Sequence, residues 1–324
     1  MTPAGLLKRP GYWLALCWLG IVAATGLLSS WLRLPYLSTA PDLLHMAAPP
    51  SALHYFGTDV LGRDVLAGLV TGAQRLVKLS LPAVALATAF GAVAGGAAGF
   101  WGNTRLRLPL GALGLPAALA WWLLQLPGCV YFTVSILSIS GLYELITSRR
   151  QQALQIRPLT FALPLDSLLL GIATLLGALP RLVLLIALAA GPPLTLVQLL
   201  ALLVLIAWPE PARMVRAEML RVRVQPFIEA AWASGLGPGR IWWRHALPAA
   251  CQPLRTLAPL SLAGLIGLET ALAFLGIGQA PNAVGWGTLL ATVRQDPSAW
   301  WVALAPGVAL LATLLALQKV AASK

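Results

Sequence analysis

The sequence predicts an all-α, polytopic membrane protein. Of its 324 residues, 59% are hydrophobic and only 10% are charged, whereas about 25% are charged in an ordinary soluble domain. Several charge-free runs reach the roughly 20 residues that a helix needs to cross a hydrocarbon layer of about 30 Å. A bundle of membrane-spanning helices accounts for both observations.

Apolar runs give candidate spans along the whole chain. There are eight: Tyr12–Leu32, Leu79–Phe100, Leu108–Leu126, Cys129–Thr147, Leu163–Ala190, Leu194–Trp208, Thr256–Gly278 and Trp300–Leu317. The first also resembles a signal peptide, but no small-x-small cleavage site follows it, so we expect it to be retained. Cys17, Cys129 and Cys251 lack the paired spacing of a zinc site or a disulfide framework, and we interpret them as packing residues.

The distribution of basic residues predicts a bacterial inner-membrane protein with both termini in the cytoplasm. If Lys8 and Arg9 are inside, Arg181 falls within a span and most other basic residues fall inside. Those that fall outside are Arg33, Arg63, Arg75, Lys78 and Arg294. This asymmetry is the positive-inside pattern, and it explains the net charge of +12 without nucleic acid.

The two runs between 108 and 147 form either a spanning hairpin or a re-entrant one, because removing a hairpin leaves every other orientation unchanged. Pro127 and Gly128 predict a turn at its middle. The resulting divisions are an N-terminal span (1–32), an external loop (33–78), a core span (79–107), an inserted hydrophobic hairpin with a cytoplasmic linker (108–161) and the remaining core (162–324), which contains a cytoplasmic loop at 209–255.

The external loop is expected to contain an amphipathic helix over Val60–Lys78. Leu61, Val65, Leu69 and Leu76 recur at helical spacing. Such a helix lies on the membrane surface or simply leads into the next span, and periodicity alone leaves both alternatives open.

The cytoplasmic loop predicts two helices joined by a glycine turn. Pro226 suits a first helical turn, and Glu229 follows close to the positive helix end. Small side chains at Ala230, Ala231 and Ala233 form a surface that another body can approach closely. The Gly-Leu-Gly-Pro-Gly segment 235–239 ends this helix, and a second is expected over Arg240–Ala246. We interpret the loop as a docking element and not as a catalytic one.

Three motifs in the chain resemble those of a known family. Glu229-Ala230-Ala231, Gly235 and Leu247-Pro248 look like the EAA loop of ABC importer permeases. Segments 55–59 (Tyr-Phe-Gly-Thr-Asp) and 61–65 (Leu-Gly-Arg-Asp-Val) look like the external motif of the dipeptide, oligopeptide and nickel permeases. Residues 268–276, with Trp286-Gly287 beyond them, are similar to the penultimate span of that subfamily. The resemblance covers about 55–105 and 162–318 and is closest to the C-type permease subunit; the departure lies between Trp101 and Phe161.

The resemblance implies a six-span core, which the inserted hairpin extends to eight spans. It also implies a second homologous permease, two ABC ATPase subunits and a periplasmic or lipid-anchored solute-binding protein as partners. ATP and Mg²⁺ would be bound by the ATPases, with no cofactor on this chain. The cargo would be peptides or peptide-like or chelated-metal solutes.

The same resemblance assigns roles to individual residues. Coupling to the ATPase is implied for Glu229, Ala230, Ala231, Gly235, Leu236, Gly237, Arg240, Leu247 and Pro248. The external motif comprises Gly57, Thr58, Asp59, Gly62, Arg63 and Asp64.

Catalytic alternatives find no support in the residue inventory. The chain has no Gly-x-x-x-x-Gly-Lys-[Ser/Thr], so no P-loop is predicted. His45, His54 and His245 are scattered over two loops on opposite sides, without a His-Glu-x-x-His motif. Neither a catalytic site nor a metal site is therefore expected.

A secondary transporter is the main alternative function. It would favour repeated halves and coupling groups within its spans, yet we find no internal repeat, and the EAA-like loop favours the ATP-driven importer. Only Arg181 and Glu269 lie well inside apolar runs. Each of them either pairs structurally or lines the pathway, where Arg181, beside a kink expected at Pro180, would offer charge to a substrate carboxylate.

Overall fold

The computed structural model describes residues 10–29, 42–103, 107–109, 160–162, 164–178, 180, 183, 195–277 and 284–323. The chain divides into two compact units, Met1–Gly96 with Ile172–Lys324 and Ala97–Gly171. Almost all of the predicted hairpin lies outside the described residues, as does Arg181, so the eight-span count stays a prediction.

Helices dominate the described part of the chain. They are α1 (Pro10–Leu28), α2 (Val65–Arg75), α3 (Leu81–Trp101), α4 (Leu165–Ala178), α5 (Leu196–Ala207), α6 (Pro209–Val222), α7 (Pro226–Ala233), α8 (Pro238–Ile241), α9 (Leu247–Ala250), α10 (Leu254–Leu275), α11 (Trp286–Thr292) and α12 (Trp300–Ala322). A first π-turn, Leu76–Ser80, joins α2 to α3, and a second, Trp242–Ala246, joins α8 to α9.

Five helical stretches in the described part are long and apolar enough to cross a membrane: Pro10–Leu28, Val65–Trp101, Leu196–Val222, Leu254–Phe274 and Trp300–Ala322. Each contains most of a predicted span. The predicted span Leu163–Ala190 is represented by α4, an apolar helix of 14 residues. The all-α, multi-pass prediction is confirmed.

The predicted amphipathic helix begins later than Val60 and does not stand alone. Asp64 caps it by accepting hydrogen bonds from the Leu66 and Ala67 amides, which satisfies two of the unpaired N–H groups at a helix start. From Val65 the chain is helical through the first π-turn into α3. The structure therefore favours the alternative in which this segment leads into the span.

The larger unit is held by close contacts between long helices. The Trp18 indole on α1 donates to the Thr313 hydroxyl on α12 over 3.0 Å. Leu79, Leu203 and Leu272 form a common buried cluster. Gly95 lies so close to α6 that a Cβ built on it would be 2.1 Å from the Ala212 carbonyl oxygen, a contact that only glycine permits.

The smaller unit contains two strands that the sequence analysis did not predict. β1 (Arg107–Pro109) pairs antiparallel with β2 (Thr160–Ala162), with Arg107 opposite Ala162. Nearby, the Asn103 amide donates to the Ser167 hydroxyl over 2.9 Å. The strand pairing brings the two ends of the inserted segment together. Strands of three residues are too short to show the alternation by which strands are recognised in a sequence.

Candidate coupling, external and intramembrane sites

The docking segment, residues 226–250, begins with α7 at Pro226 as predicted. Ile228 is fully buried and Ala231 is 7% exposed, so these two side chains anchor the helix. Glu229, Ala230 and Ala233 are exposed. The predicted small-residue surface thus needs one correction: Ala231 faces inward, and only Ala230 and Ala233 are open to a partner.

Gly235 closes α7 in a left-handed conformation with φ of 73°. Its amide donates to the Trp232 carbonyl over 3.0 Å, and the Leu236 amide donates to the Ala231 carbonyl over 3.3 Å. This bonding pattern is the Schellman motif, which favours glycine. A Cβ at Gly235 would meet nothing within 4 Å, so no steric contact with a neighbouring residue requires glycine at this position. The requirement comes from the backbone.

The second helical part of the docking segment differs from the prediction at both ends. It begins at Pro238 instead of Arg240, because proline suits a first helical turn, and it continues through the second π-turn into α9. Leu247 and Pro248 therefore lie in this helical part. Leu247 is buried and Pro248 is exposed. Arg240 and Gly237 are exposed, and Leu236 is half-buried.

Exposed aromatic side chains on the docking segment escaped the sequence analysis. Phe227, Trp232 and Trp243 are 46%, 43% and 62% exposed. Large aromatic residues are enriched where protein surfaces associate. Their side chains are mainly apolar, so in the sequence they could not be distinguished from residues of the membrane spans.

The external motif is a buried structural element. Thr58 is fully buried, and Asp59 and Asp64 are 1% and 6% exposed. The Asp59 carboxylate accepts from the Leu61 amide at 2.9 Å and the Arg63 amide at 2.7 Å. Burial raises the pKa of Asp59 above its ordinary value, against the lowering effect of these two bonds.

Two glycines of this motif allow the backbone to turn and to pass close to another part of the external loop. Gly57 and Gly62 have φ of 75° and 73°. A Cβ on Gly57 would lie 2.6 Å from the Ala48 carbonyl oxygen, and one on Gly62 would lie 2.2 Å from that of Asp42. The motif therefore folds the external loop back on itself, and its side chains are mostly unavailable to a ligand.

The structure brings together four side chains that sequence reasoning did not connect. This His–Asp cluster consists of Asp42, His45, His54 and Asp64. His45 Nδ1 lies 2.8 Å from Asp42 Oδ2, and His54 Nδ1 lies 2.8 Å from Asp64 Oδ2. The hydrogen bond from His45 lowers the pKa of Asp42. The four residues lie within the short segment 42–64, but turns bring them together, and no periodic pattern in the sequence predicts that grouping.

Glu269 on α10 is held by two partners from the α2–α3 segment. The Ser80 hydroxyl donates to Glu269 Oε2 over 2.6 Å, and Arg75 Nε lies 3.6 Å from Glu269 Oε1. A small pocket beside them is bounded by Gly72, Trp286 and Gly287. This geometry favours structural pairing for Glu269, although the pocket also keeps the carboxylate next to open space. Neither Arg75 nor Ser80 was identified from the sequence.

Two further clefts meet at Glu210, at the start of α6. One is bounded by Leu176, Arg213 and Met214, and the other by Leu257 and Ser261. The Arg213 guanidinium donates to the Ala173 carbonyl. Glu210 is exposed and borders both clefts.

Comparison with known proteins gives consistent results. Residues 159–322 match the profile of a family described as binding-protein-dependent transport system inner membrane component. A peptide permease protein of Brucella suis biovar 1 (strain 1330) is 29% identical over 310 residues, covering 92% of this chain and 81% of the relative. A peptide transport system permease protein of the same strain is 28% identical over 320 residues, covering 98% and 86%. The dipeptide transport system permease protein DppC of Alkalihalophilus pseudofirmus (strain ATCC BAA-2126 / JCM 17055 / OF4) is 29% identical over 267 residues, covering 82% and 68%.

Proposed function

This chain belongs to the family of binding-protein-dependent transport system inner membrane components, and from that premise we propose how it transports and couples. It is a multi-pass permease subunit of an ABC importer of the peptide type. It supplies half of the pathway, and a second homologous permease supplies the other half. Two ABC ATPase subunits drive the transition, and a solute-binding protein delivers the peptide from outside.

The docking segment is the observation that supports coupling to the ATPase. Its inner face is anchored by Ile228 and Ile241, both fully buried, while Glu229, Ala230 and Ala233 face outward. A coupling element has to be rigid toward its own membrane helices and accessible to the motor. The buried isoleucines make the segment rigid toward its own membrane helices. The exposed alanines and aromatic side chains make it accessible to the ATPase.

The chemistry of the exposed face suggests what receives it. Trp232 and Trp243 need an apolar cleft, and Glu229 needs a basic group, since charge-assisted bonds are the strong ones. Arg240 and Arg244 add positive charge that an acidic rim would complement. We expect a cleft on the ATPase with an apolar floor and charged edges.

Glu210 and Glu269 are the acidic candidates for lining the pathway, because they lie in the stretches Leu196–Val222 and Leu254–Phe274, which are long and apolar enough to cross a membrane. A peptide carries a charged amino terminus, and an acidic side chain within a span is a natural contact for it. Glu210 is exposed beside two clefts, and Glu269 lies beside a small pocket, so both are candidates for this contact. The chain itself carries out no chemical step in this mechanism.

The test of coupling uses the purified complex reconstituted in proteoliposomes. Gly235→Trp should weaken ATPase docking by about 2 kcal/mol, the size of an interface hot spot, and Glu229→Ala should weaken it less. Gly235→Asn is the matched control, since asparagine tolerates the left-handed conformation. ATPase retention and uptake of a labelled dipeptide are measured for each. Full retention and full uptake in both Gly235→Trp and Glu229→Ala would show that coupling runs elsewhere.

The same proteoliposomes distinguish the importer from an ion-coupled transporter. Uptake should require ATP hydrolysis and stop when vanadate inhibits the ATPase. An ionophore that collapses ion gradients should leave uptake unchanged. The opposite pair of results would identify secondary transport.

A further inference from the structure

Two of the three histidines of the chain meet in the external loop. His45 and His54 have ring centroids 5.9 Å apart, and Asp42 lies between them. Asp42 Oδ2 is 2.8 Å from His45 Nδ1 and 3.6 Å from His54 Nε2. One ligand atom from each of these three residues lies within 4.8 Å of the others.

The fourth member of the cluster orients His54. Asp64 is 6% exposed, and its Oδ2 lies 2.8 Å from His54 Nδ1. A carboxylate in this position holds the proton on Nδ1 and leaves Nε2 with a lone pair. Metal-binding histidines almost always have such a partner on the second ring nitrogen, which fixes the tautomer and raises the basicity of the ligand.

The backbone beneath the cluster is fixed by hydrogen bonds. The Asp42 amide donates to the Gly62 carbonyl over 2.8 Å, and the amides of Ser51 and Gly57 donate to the His54 carbonyl over 2.8 and 2.9 Å. The Thr58 hydroxyl donates to the His45 carbonyl. All three ligand-bearing residues are thus tied into the fold, so little conformational entropy is lost when they converge on one ion.

We propose that Asp42, His45 and His54 bind a divalent transition-metal ion of the Zn²⁺ class, with Asp64 as the partner of His54. Two imidazole nitrogens and one carboxylate oxygen form a donor set that zinc accepts, with water as a fourth ligand. Tetrahedral bonds of about 2.0–2.1 Å place donor atoms about 3.3 Å apart. The observed separations of 2.8 and 3.6 Å bracket that value.

The ion would join two parts of the external loop. Asp42 and His45 belong to one arm, while His54 belongs to the arm that leads into α2. A metal bridge would close the loop over the buried external motif and stabilise it against opening. Metal content and thermal stability do not depend on transport, so this inference can fail while the proposed function stands.

The experiment measures metal on the intact complex, purified with a streptavidin-binding tag instead of a polyhistidine tag. After dialysis against Zn²⁺ and removal of excess ion, mass spectrometry should find one Zn²⁺ per chain, and Zn²⁺ should raise the melting temperature. Ca²⁺ and Mg²⁺ should do neither, because they prefer oxygen-only sites.

Variants assign the site to its residues. His45→Ala and His54→Ala should each lose the bound Zn²⁺ and the shift in melting temperature. His245→Gln, the third histidine, should retain both. Asp64→Asn keeps the helix cap, since asparagine caps as well as aspartate, but should weaken Zn²⁺ binding about 10–100-fold.

His45 is the decisive position because its side chain is 47% exposed, so that its removal leaves folding intact. Zn²⁺ content at the wild-type level in His45→Ala and His54→Ala would overturn the proposal. So would the absence of Zn²⁺ from the wild-type complex, which would leave a hydrogen-bonded cluster without a metal.

Discussion

Gly235 shows how one backbone conformation determines the shape of the docking segment. Gly235 has a φ of 73° and open surroundings. We therefore expect Gly235→Ala to destabilise the folded turn by about 1–2 kcal/mol, because alanine is strained in the left-handed conformation. Gly237, with φ of −67° and equally open surroundings, is the control, and Gly237→Ala should be neutral. Hydrogen exchange of segment 230–240 measures both. Equal exchange in the two variants would contradict the conformational argument.

Asp59 predicts a dependence of stability on pH. Its pKa is raised by burial, so the folded chain binds its proton more tightly than the unfolded chain does. Stability from this group is therefore highest below its unfolded pKa and falls as pH rises through its folded pKa. Asp59 Oδ2 is buried without a hydrogen-bond partner in the described structure, which explains the cost of the charge.

The variant Asp59→Asn isolates that contribution, because its amide oxygen still accepts from the Leu61 and Arg63 amides. We expect the variant to be more stable than wild type at neutral pH and the difference to shrink toward pH 4. Melting temperatures of both proteins over this range are the measurement. A difference that widens on acidification would show that Asp59 is stabilising as a charge.

The α2–α3 segment and α10 are joined by the ion pair of Arg75 and Glu269. Removing one member of a buried ion pair leaves an uncompensated charge and lowers the free energy of unfolding by about 3–5 kcal/mol. Arg75 is 24% exposed, so we expect Arg75→Met to cost near the lower end of that range. The double variant Arg75→Met with Glu269→Gln should recover most of the loss, since the amide oxygen still accepts from Ser80. Denaturation of the four proteins of the cycle gives the coupling energy, and strict additivity would show that the pair is not coupled.

The membrane spans and the two ends of α7 could be predicted because each depends on a local property of the sequence. Apolar runs gave the spans, Pro226 gave the start of α7, and glycine gave its end. The pairing of Glu269 with Arg75 could not be predicted, since those residues are 194 positions apart in the numbering and neither has a periodic pattern. Asp42 and His54 are only 12 positions apart, and their approach was missed because turns without a periodic pattern bring them together. The orientation of Ala231 depends on the packing of α7, which composition does not reveal.

The distribution of basic residues along the chain predicts which regions lie on each side of the membrane. Positive charge places the external loop outside and the docking segment inside. In a chain with its native cysteines replaced, Ser51→Cys and Ser234→Cys are exposed positions on the two sides. An impermeant maleimide should label Ser51→Cys in intact cells and Ser234→Cys only in inverted vesicles. The reverse pattern would invert the topology and with it the proposed roles of both regions.

The first π-turn, Leu76–Ser80, has a consequence for how this gene can change. A π-turn holds one residue more than regular α-helix would need, so a single-codon insertion can create one and a single-codon deletion can remove it. Deletion would rejoin α2 and α3 smoothly, yet it would rotate Arg75 by about 100° relative to Ser80, because an α-helix has 3.6 residues per turn. Glu269 could then keep only one of its two partners. The number of residues in this segment is therefore constrained by the two contacts that Glu269 makes with it.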